Sequence, residues 1–126
     1  MTADLQQASL GQIAIIVKDL GRATAFYRDV LGLPLLFEFP GLAFFQCGQT
    51  RFMLSGAEKP EFDHPGSLLY YRVPDVEAAF ATLTSRGAVF VDTPHIVHRA
   101  ETYDLWMAFF HDTEGNPAAL MAEKPK

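Results

Sequence analysis

Apolar and polar positions follow the same order twice along the chain. In each half an apolar strand runs into an aspartate, an amphipathic helix follows, and a glycine closes the helix. The first predicted helix starts after Asp19 and ends at Gly32, and the second starts after Asp75 and ends at Gly87. Aspartate is a preferred N-cap and glycine is preferred just past a helix C-terminus. A repeat of this kind indicates two similar half-domains that share one core.

Short apolar runs separated by turn residues predict the strands. In the first half we expect strands at 12–18, 35–39, 42–46 and 51–54. In the second half we expect strands at 68–73, 88–91, 105–111 and 118–122, with a partly extended polar segment at 92–104 and a charged tail at 123–126. The predicted fold is therefore α+β, with two tandem βαβββ modules.

The length of 126 residues suits a single domain covering 1–126. Within it we predict a first module at 10–55, a linker at 56–66 and a second module at 67–122. The linker assignment depends on its glycines, prolines and charges and on its few apolar residues.

Charge and composition exclude several classes of protein. A net charge of -5 argues against a nucleic-acid partner, because phosphate binding needs an excess of Lys and Arg. No stretch approaches the roughly 20 apolar residues of a membrane span, and residues 1–10 lack the features of a secretory signal. The single cysteine, Cys47, allows no intrachain disulfide and fits a reducing compartment. We therefore expect a cytoplasmic protein without a membrane partner.

Four short motifs occur in an order and spacing that resemble a known superfamily. They are Val17-Lys18-Asp19-Leu20, Phe26-Tyr27, Leu31-Gly32-Leu33 and Asp112-x-Glu114-Gly115-Asn116. The chain resembles the vicinal oxygen chelate superfamily, which includes glyoxalase I, extradiol dioxygenases and bleomycin-resistance proteins. This resemblance implies that the two modules are curved half-barrels around a ligand cleft. It also implies a homodimer, in which the cleft lies within one chain or across two.

The resemblance implies four metal-ligand positions, which in this chain hold Gln12, Met53, Leu68 and Ala119. Only Gln12 offers an oxygen that suits a divalent metal, because a thioether suits Cu(I) and the other two side chains cannot coordinate. We therefore expect that the usual metal site is lost and that no cofactor is present. The alternative is a divalent metal at an unrecognised site.

The closest pair of histidines, His95 and His98, is the candidate for such a relocated metal site. On a regular strand, residues three apart face opposite sides, so we expect that the two rings do not converge unless they lie in a turn.

Strand alternation predicts which side chains line the cleft. The predicted ligand-binding residues form an apolar surface with a few polar side chains that can bond to a ligand. They are Gln12, Met53, Leu68, Tyr70, Arg72, Trp106 and Ala119. Residues 106, 108 and 110 share one face of their strand and residues 105, 107 and 109 share the other. Which of these faces lines the cleft stays open.

Three functions are consistent with these residues. The first is binding of a small apolar or aromatic molecule without catalysis, as in the bleomycin-resistance branch. The second is a metal-dependent lyase, isomerase or dioxygenase reaction. The third is metal-free catalysis, with Tyr70, His95 or His98 as the acid or base.

Overall fold

Two β-sheets, each covered by helix on one side, make up the part of the chain that the structure describes. The structure is a computed structural model that describes residue 6 and residues 9–56 and 67–126. The predicted linker, apart from Gly56, lies outside the described residues. The boundaries of the two modules therefore stay a prediction, but the predicted fold of paired βαβββ units is confirmed.

The first sheet has the strand order β1-β4-β3-β2, in which β1 and β4 are parallel and the other neighbours are antiparallel. Its strands are β1 (Gln12–Ile16), β2 (Leu35–Phe39), β3 (Leu42–Cys47) and β4 (Thr50–Ser55). The predicted helix is an α-helix, α1 (Leu20–Ala25), that continues as a π-helical segment at Phe26–Val30. The carboxylate of Asp19 accepts a hydrogen bond from the Arg22 amide at 3.1 Å, and Gly32 has a φ of 78°. Both predicted caps are confirmed.

The second sheet has the order β5-β9-β8-β6, and β7 pairs with β8. Its elements are β5 (Leu69–Arg72), α2 (Val76–Ser85), β6 (Val89–Phe90), β7 (His95–Arg99), β8 (Tyr103–His111) and β9 (Pro117–Pro125). The Asp75 carboxylate caps α2 by accepting from the Ala78 amide. The prediction of a short last strand and a charged tail is wrong, because β8 starts at Tyr103 and β9 pairs with it as far as Pro125.

Alternate residues of the central strands pack against the helices. In the first module the centroid of the Tyr27 ring lies 5.1 Å from the centroid of the Phe52 ring and 6.2 Å from that of the Phe45 ring. In the second module Phe110 lies beside Phe90 and is almost completely buried. We call the opposite side of each sheet, which is turned away from the helices, its open face. No helix in the described ranges is long and apolar enough to cross a membrane.

A hydrogen-bond network with a buried bond at its centre joins the two modules at the β8–β9 turn. The Tyr27 hydroxyl donates to Oδ2 of Asp112 at 2.7 Å. Oδ1 of the same carboxylate accepts from the amides of Glu114 and Asn116, both at 2.8 Å. The Glu114 carboxylate accepts from the Lys18 and Asp19 amides at the start of α1. One turn of the second module therefore holds the helix of the first.

This junction predicts a loss of stability at alkaline pH. The pKa of Tyr27 lies far above its ordinary value. Burial is the largest cause, followed by the nearby Tyr71 and the hydrogen bond to Asp112. Burial also raises the pKa of Tyr71. Above a pH of about 10 the unfolded chain loses these phenolic protons while the folded chain keeps them. The stability that the two tyrosines contribute should therefore be fully present below that pH. Well above it, the free energy of unfolding should fall by about 1.4 kcal/mol per pH unit for each of the two tyrosines.

Urea unfolding between pH 9 and pH 11 measures this slope. The wild type should be compared with a Tyr27→Phe variant, both carrying Cys47→Ala so that no thiol titrates. We expect that Tyr27→Phe reduces the total loss of stability between pH 9 and pH 11 by about 1.4 kcal/mol, since the unfolded phenol titrates near pH 10. An unchanged slope would contradict the prediction.

Candidate functional site

Three phenylalanines form an aromatic cluster on the open face of the first sheet. The ring of Phe37 lies 4.8 Å from that of Phe44 and 5.4 Å from that of Phe39. Phe37 is 42% exposed and Phe39 is 56% exposed, so these rings are not core residues. The Arg51 guanidinium lies 5.9 Å from the centroid of the Phe44 ring. The cluster therefore offers a flat apolar surface with a cation at its side, which suits a planar ligand.

A β-bulge produces this cluster. Leu35 stands opposite the buried Phe45, so regular alternation would turn Phe37 toward the core as well. The register shifts between Leu35 and Phe37, and Phe37 stands opposite Phe44 instead. The extra residue turns the side chains of Phe37 and Phe39 to the open face.

The open face of the second sheet carries Tyr70 and Arg72. Tyr70 stands opposite Ala119 on β9 and is 47% exposed, with its ring 6.2 Å from that of Phe109. Arg72 is exposed and lies 3.6 Å from the Glu123 carboxylate. Leu68 comes directly before β5 and is partly exposed. An aromatic ring and a guanidinium therefore occur together on this face, as they do on the other.

One cavity of about 340 Å³ is lined by both modules. Cys47, Thr50 and Phe52 line it from the first module, and Tyr70 and Arg72 are among the residues that line it from the second. Burial raises the pKa of the Cys47 thiol, which keeps it protonated and unreactive at neutral pH. Two of the predicted ligand-binding residues thus border a space between the modules.

The four positions that the resemblance assigns to a metal do not supply a ligand set that fits one. Gln12 and Met53 share the open face of the first sheet, where Met53 stands opposite Ala14. Ala119 is fully buried beneath Tyr70 and presents only a methyl group. Gln12 alone contributes a hard oxygen donor, so the side chains do not fit a divalent metal. Among the described residues no group of three or more His, Cys, Asp or Glu side chains could hold a metal ion.

The expectation that His95 and His98 face opposite sides of the sheet is wrong. A register shift between Ile96 and His98 adds one residue to β7, so the two histidines stand opposite Met107 and Leu105. These partners alternate on β8 and share a face. The His95 ring bonds to the Thr93 carbonyl at 2.7 Å. The histidines lie three strands from Tyr70, or about 14 Å, so they do not form an acid–base pair with it in one chain.

Trp106 does not share the open face with Tyr70 and Arg72, and its role in ligand binding stays a prediction. Trp106 shares its face with the buried Ala108 and Phe110, which pack toward α2. It lines a different cavity, beside Phe80 on the helix side of the sheet. Met107 and Phe109 lie on the open face of strand 105–111, and which of its two faces lines a ligand cleft stays a prediction. Packing against α2 decides which face is open, and periodicity alone could not.

Phe37, Phe44, Arg51 and Phe109 belong to the open faces although the predicted site omits them. The pairing of Arg51 with Gln12 and of Phe44 with Met53 would have identified two of them. Phe109 can be assigned to the open face only when the inner face of β8 is known. Phe37 required knowledge of the bulge, for which the sequence carries no clear signal.

Residues 9–120 match the family model described as Glyoxalase/Bleomycin resistance protein/Dioxygenase superfamily. A curated relative, the uncharacterized protein YraH of Bacillus subtilis (strain 168), is 29% identical over 119 residues, which cover 83% of this chain and 91% of the relative.

Solved structures with the same fold include two that are similar along nearly all of their length. A member of the superfamily from Sphaerobacter thermophilus is 25% identical, with a TM-score of 0.76 over 92% of this chain and 98% of its own. TnmS3, an antibiotic binding protein from Streptomyces sp. CB03234, is 26% identical, with a TM-score of 0.76 over 98% of this chain and 100% of its own. A lactoylglutathione lyase from Agrobacterium tumefaciens, 23% identical with a TM-score of 0.68 over 91% of this chain and 93% of its own, shares the fold.

Proposed function

Since the chain belongs to the Glyoxalase/Bleomycin resistance protein/Dioxygenase superfamily, we propose that it binds a small apolar or aromatic molecule in a cleft between modules, without the superfamily's usual metal. The observation that carries this proposal is the exposed aromatic surface of the two open faces. Aromatic rings left in solvent on a sheet are costly unless something covers them, and ligand sites are enriched in them. The similarity to an antibiotic binding protein supports the same function.

The cations on the open faces specify the ligand further. Arg51 lies against the Phe44 ring. Arg72 lies near Tyr70, where an anionic ligand would compete with Glu123 for it. Guanidinium groups bind carboxylates in a planar, two-point geometry. We infer that the ligand is a planar apolar molecule with an anionic or carbonyl group at one end.

Members of the superfamily often form dimers. We propose that this chain is a cytoplasmic homodimer and that a second copy closes the cleft over the open faces. The exposure of Phe39 and Tyr70 in a single chain supports this arrangement, because both rings are then available to a partner.

Native mass spectrometry tests the metal and the oligomeric state together. The protein should be dialysed in turn against Mn²⁺, Fe²⁺, Ni²⁺ and Zn²⁺ under anaerobic conditions. We expect a dimer with no stoichiometric metal, because the four ligand positions hold one amide oxygen between them. A tightly held metal in each chain would overturn the metal-free proposal and favour a metal-dependent enzyme.

Titration calorimetry with 2-naphthoate tests the ligand class. We expect saturable binding that Tyr70→Ala and Phe44→Ala each weaken about tenfold, since a lost aromatic contact costs about 1 kcal/mol or slightly more. Val91→Ala, which truncates an exposed side chain beyond the far strand β6, should leave the affinity unchanged. Equal effects of all three variants, or conversion of a bound ligand into product, would contradict a binding protein of this design.

A further inference from the structure

A second cavity lies on the helix side of the second sheet, away from both open faces. Its volume is about 590 Å³, and its walls are α2, strand β8 and Pro94. The cavity is a groove that is broadly open to solvent, because Glu77, Ala81 and Thr84 of its wall are exposed. Its volume is similar to that of small-molecule sites, and it would cover one side of a bound ligand. The cavity contains the chain's one tryptophan, Trp106, which the proposed function does not use.

The shape of the cavity follows from the spacing of residues on α2. Glu77, Phe80, Ala81 and Thr84 recur at helical intervals and form the wall that faces Trp106. Ala81 has the smallest side chain of the four, so it leaves space in front of the indole. Phe80 packs against Phe90 at 4.6 Å between ring centroids, and this contact holds the aromatic wall in place.

The charges beside the cavity are already paired with each other. The Lys124 ammonium lies 2.9 Å from the Glu77 carboxylate and 4.2 Å from the centroid of the Trp106 ring. A charged ligand would have to compete with this ion pair, whereas a neutral ligand would leave it intact. Thr84 adds a hydroxyl that can donate or accept a hydrogen bond.

We propose that this cavity binds an uncharged planar aromatic molecule that carries a hydroxyl or carbonyl group. The aromatic ring of the ligand packs between Phe80 and the part of Trp106 that lines the cavity, and its polar group reaches Thr84. The site does not share lining residues with the cavity beside Tyr70, so it is independent of the proposed function and can fail or succeed without it.

The test titrates 2-naphthol into ¹⁵N-labelled protein and follows the indole N–H resonance. Because the chain has one tryptophan, this resonance reports only on Trp106. We expect a saturable shift. Ala81→Phe should weaken binding by at least about tenfold, because the new ring occupies the space of the ligand. Ala78→Phe is the matched control, since it adds the same ring to an exposed position of α2 that does not line the cavity.

Ala81 is exposed, so the Ala81→Phe variant should retain the dispersed spectrum of the folded protein. Tyr70→Ala should leave the indole shift unchanged, which separates this cavity from the open faces. An indole resonance that does not respond to 2-naphthol would overturn the proposal. So would a response that Ala81→Phe does not weaken, or a resonance that moves with protein concentration alone, which would mean that a second copy covers the cavity.

Discussion

Replacing Asp112 with alanine is expected to lower the free energy of unfolding by about 3–5 kcal/mol. The side chain is 7% exposed, and its carboxylate accepts from the Tyr27 hydroxyl, from two backbone amides and from the Asn116 side chain. Removing a buried charged acceptor leaves several donors without a partner, and each such donor costs about 1–3 kcal/mol. Urea unfolding at pH 7 measures the loss.

Three further variants separate the contributions at this junction. Tyr27→Phe removes one donor and leaves the carboxylate with its amide partners, so we expect a loss of about 1–2 kcal/mol. Asp112→Asn keeps the shape of the side chain but turns a donor toward other donors, so its effect should be intermediate. Glu114→Ala is the matched control, since this carboxylate binds the exposed start of α1 and should contribute only about 1 kcal/mol.

A double-mutant cycle between Asp112→Ala and Tyr27→Phe tests whether the Tyr27–Asp112 hydrogen bond accounts for part of the stability that Asp112→Ala loses. We expect a coupling energy above about 0.5 kcal/mol, as for residues in one hydrogen-bond network. Additive losses would mean that Asp112 stabilises only its own turn. In that case the hydrophobic contacts alone would hold the modules together.

The second large effect is expected at Phe52, where truncation to alanine should cost about 3–5 kcal/mol. Phe52 is 1% exposed and packs against the Tyr27 and Phe45 rings. Its removal leaves a cavity that the surrounding aromatic residues cannot fill by small movements. Thermal unfolding should show a decrease in Tm of roughly 10–20 °C.

Met53 provides the comparison, because it is the next residue of β4 and points to the open face. Met53→Ala should cost under about 1.5 kcal/mol, since its side chain is only partly buried. It should weaken 2-naphthoate binding, because its side chain lies on the open face beside Phe44. Equal losses of stability for the two variants would contradict the assignment of inner and open faces in this sheet.

Much of the fold could be read from local patterns. Asp19 and Asp75 cap their helices as predicted, and Gly32 and Gly87 take the positive φ that a helix-terminating glycine provides. These signals are strong because each depends on a residue and its nearest neighbours along the chain. The end of β9 could not be predicted in this way, because its last residues are ordered by pairing with β8. Strand β8 starts at Tyr103, two residues before its apolar run, and so β9 extends to Pro125.

The faces of the strands around the candidate site were predicted only in part, and the failures have a common cause. Alternation along a strand shows which side chains share a face, but it does not show which face meets a helix. Trp106 was therefore placed in the cleft although it packs toward α2. Bulges in β2 and β7 reverse the alternation partway along each strand, and they decide the positions of Phe37 and His98.

The sequence by itself determined the two βαβββ modules, their capped helices and the side chains at the four metal-ligand positions, because these depend on residue type and local spacing. Only the tertiary structure decided which strand faces are open, how the bulges turn the aromatic residues, and how Asp112 and Glu114 of one module reach Tyr27 and α1 of the other. Such contacts join residues that are 85 or more positions apart. Their partners are chosen by packing in three dimensions, which leaves no period or spacing in the chain that could predict them.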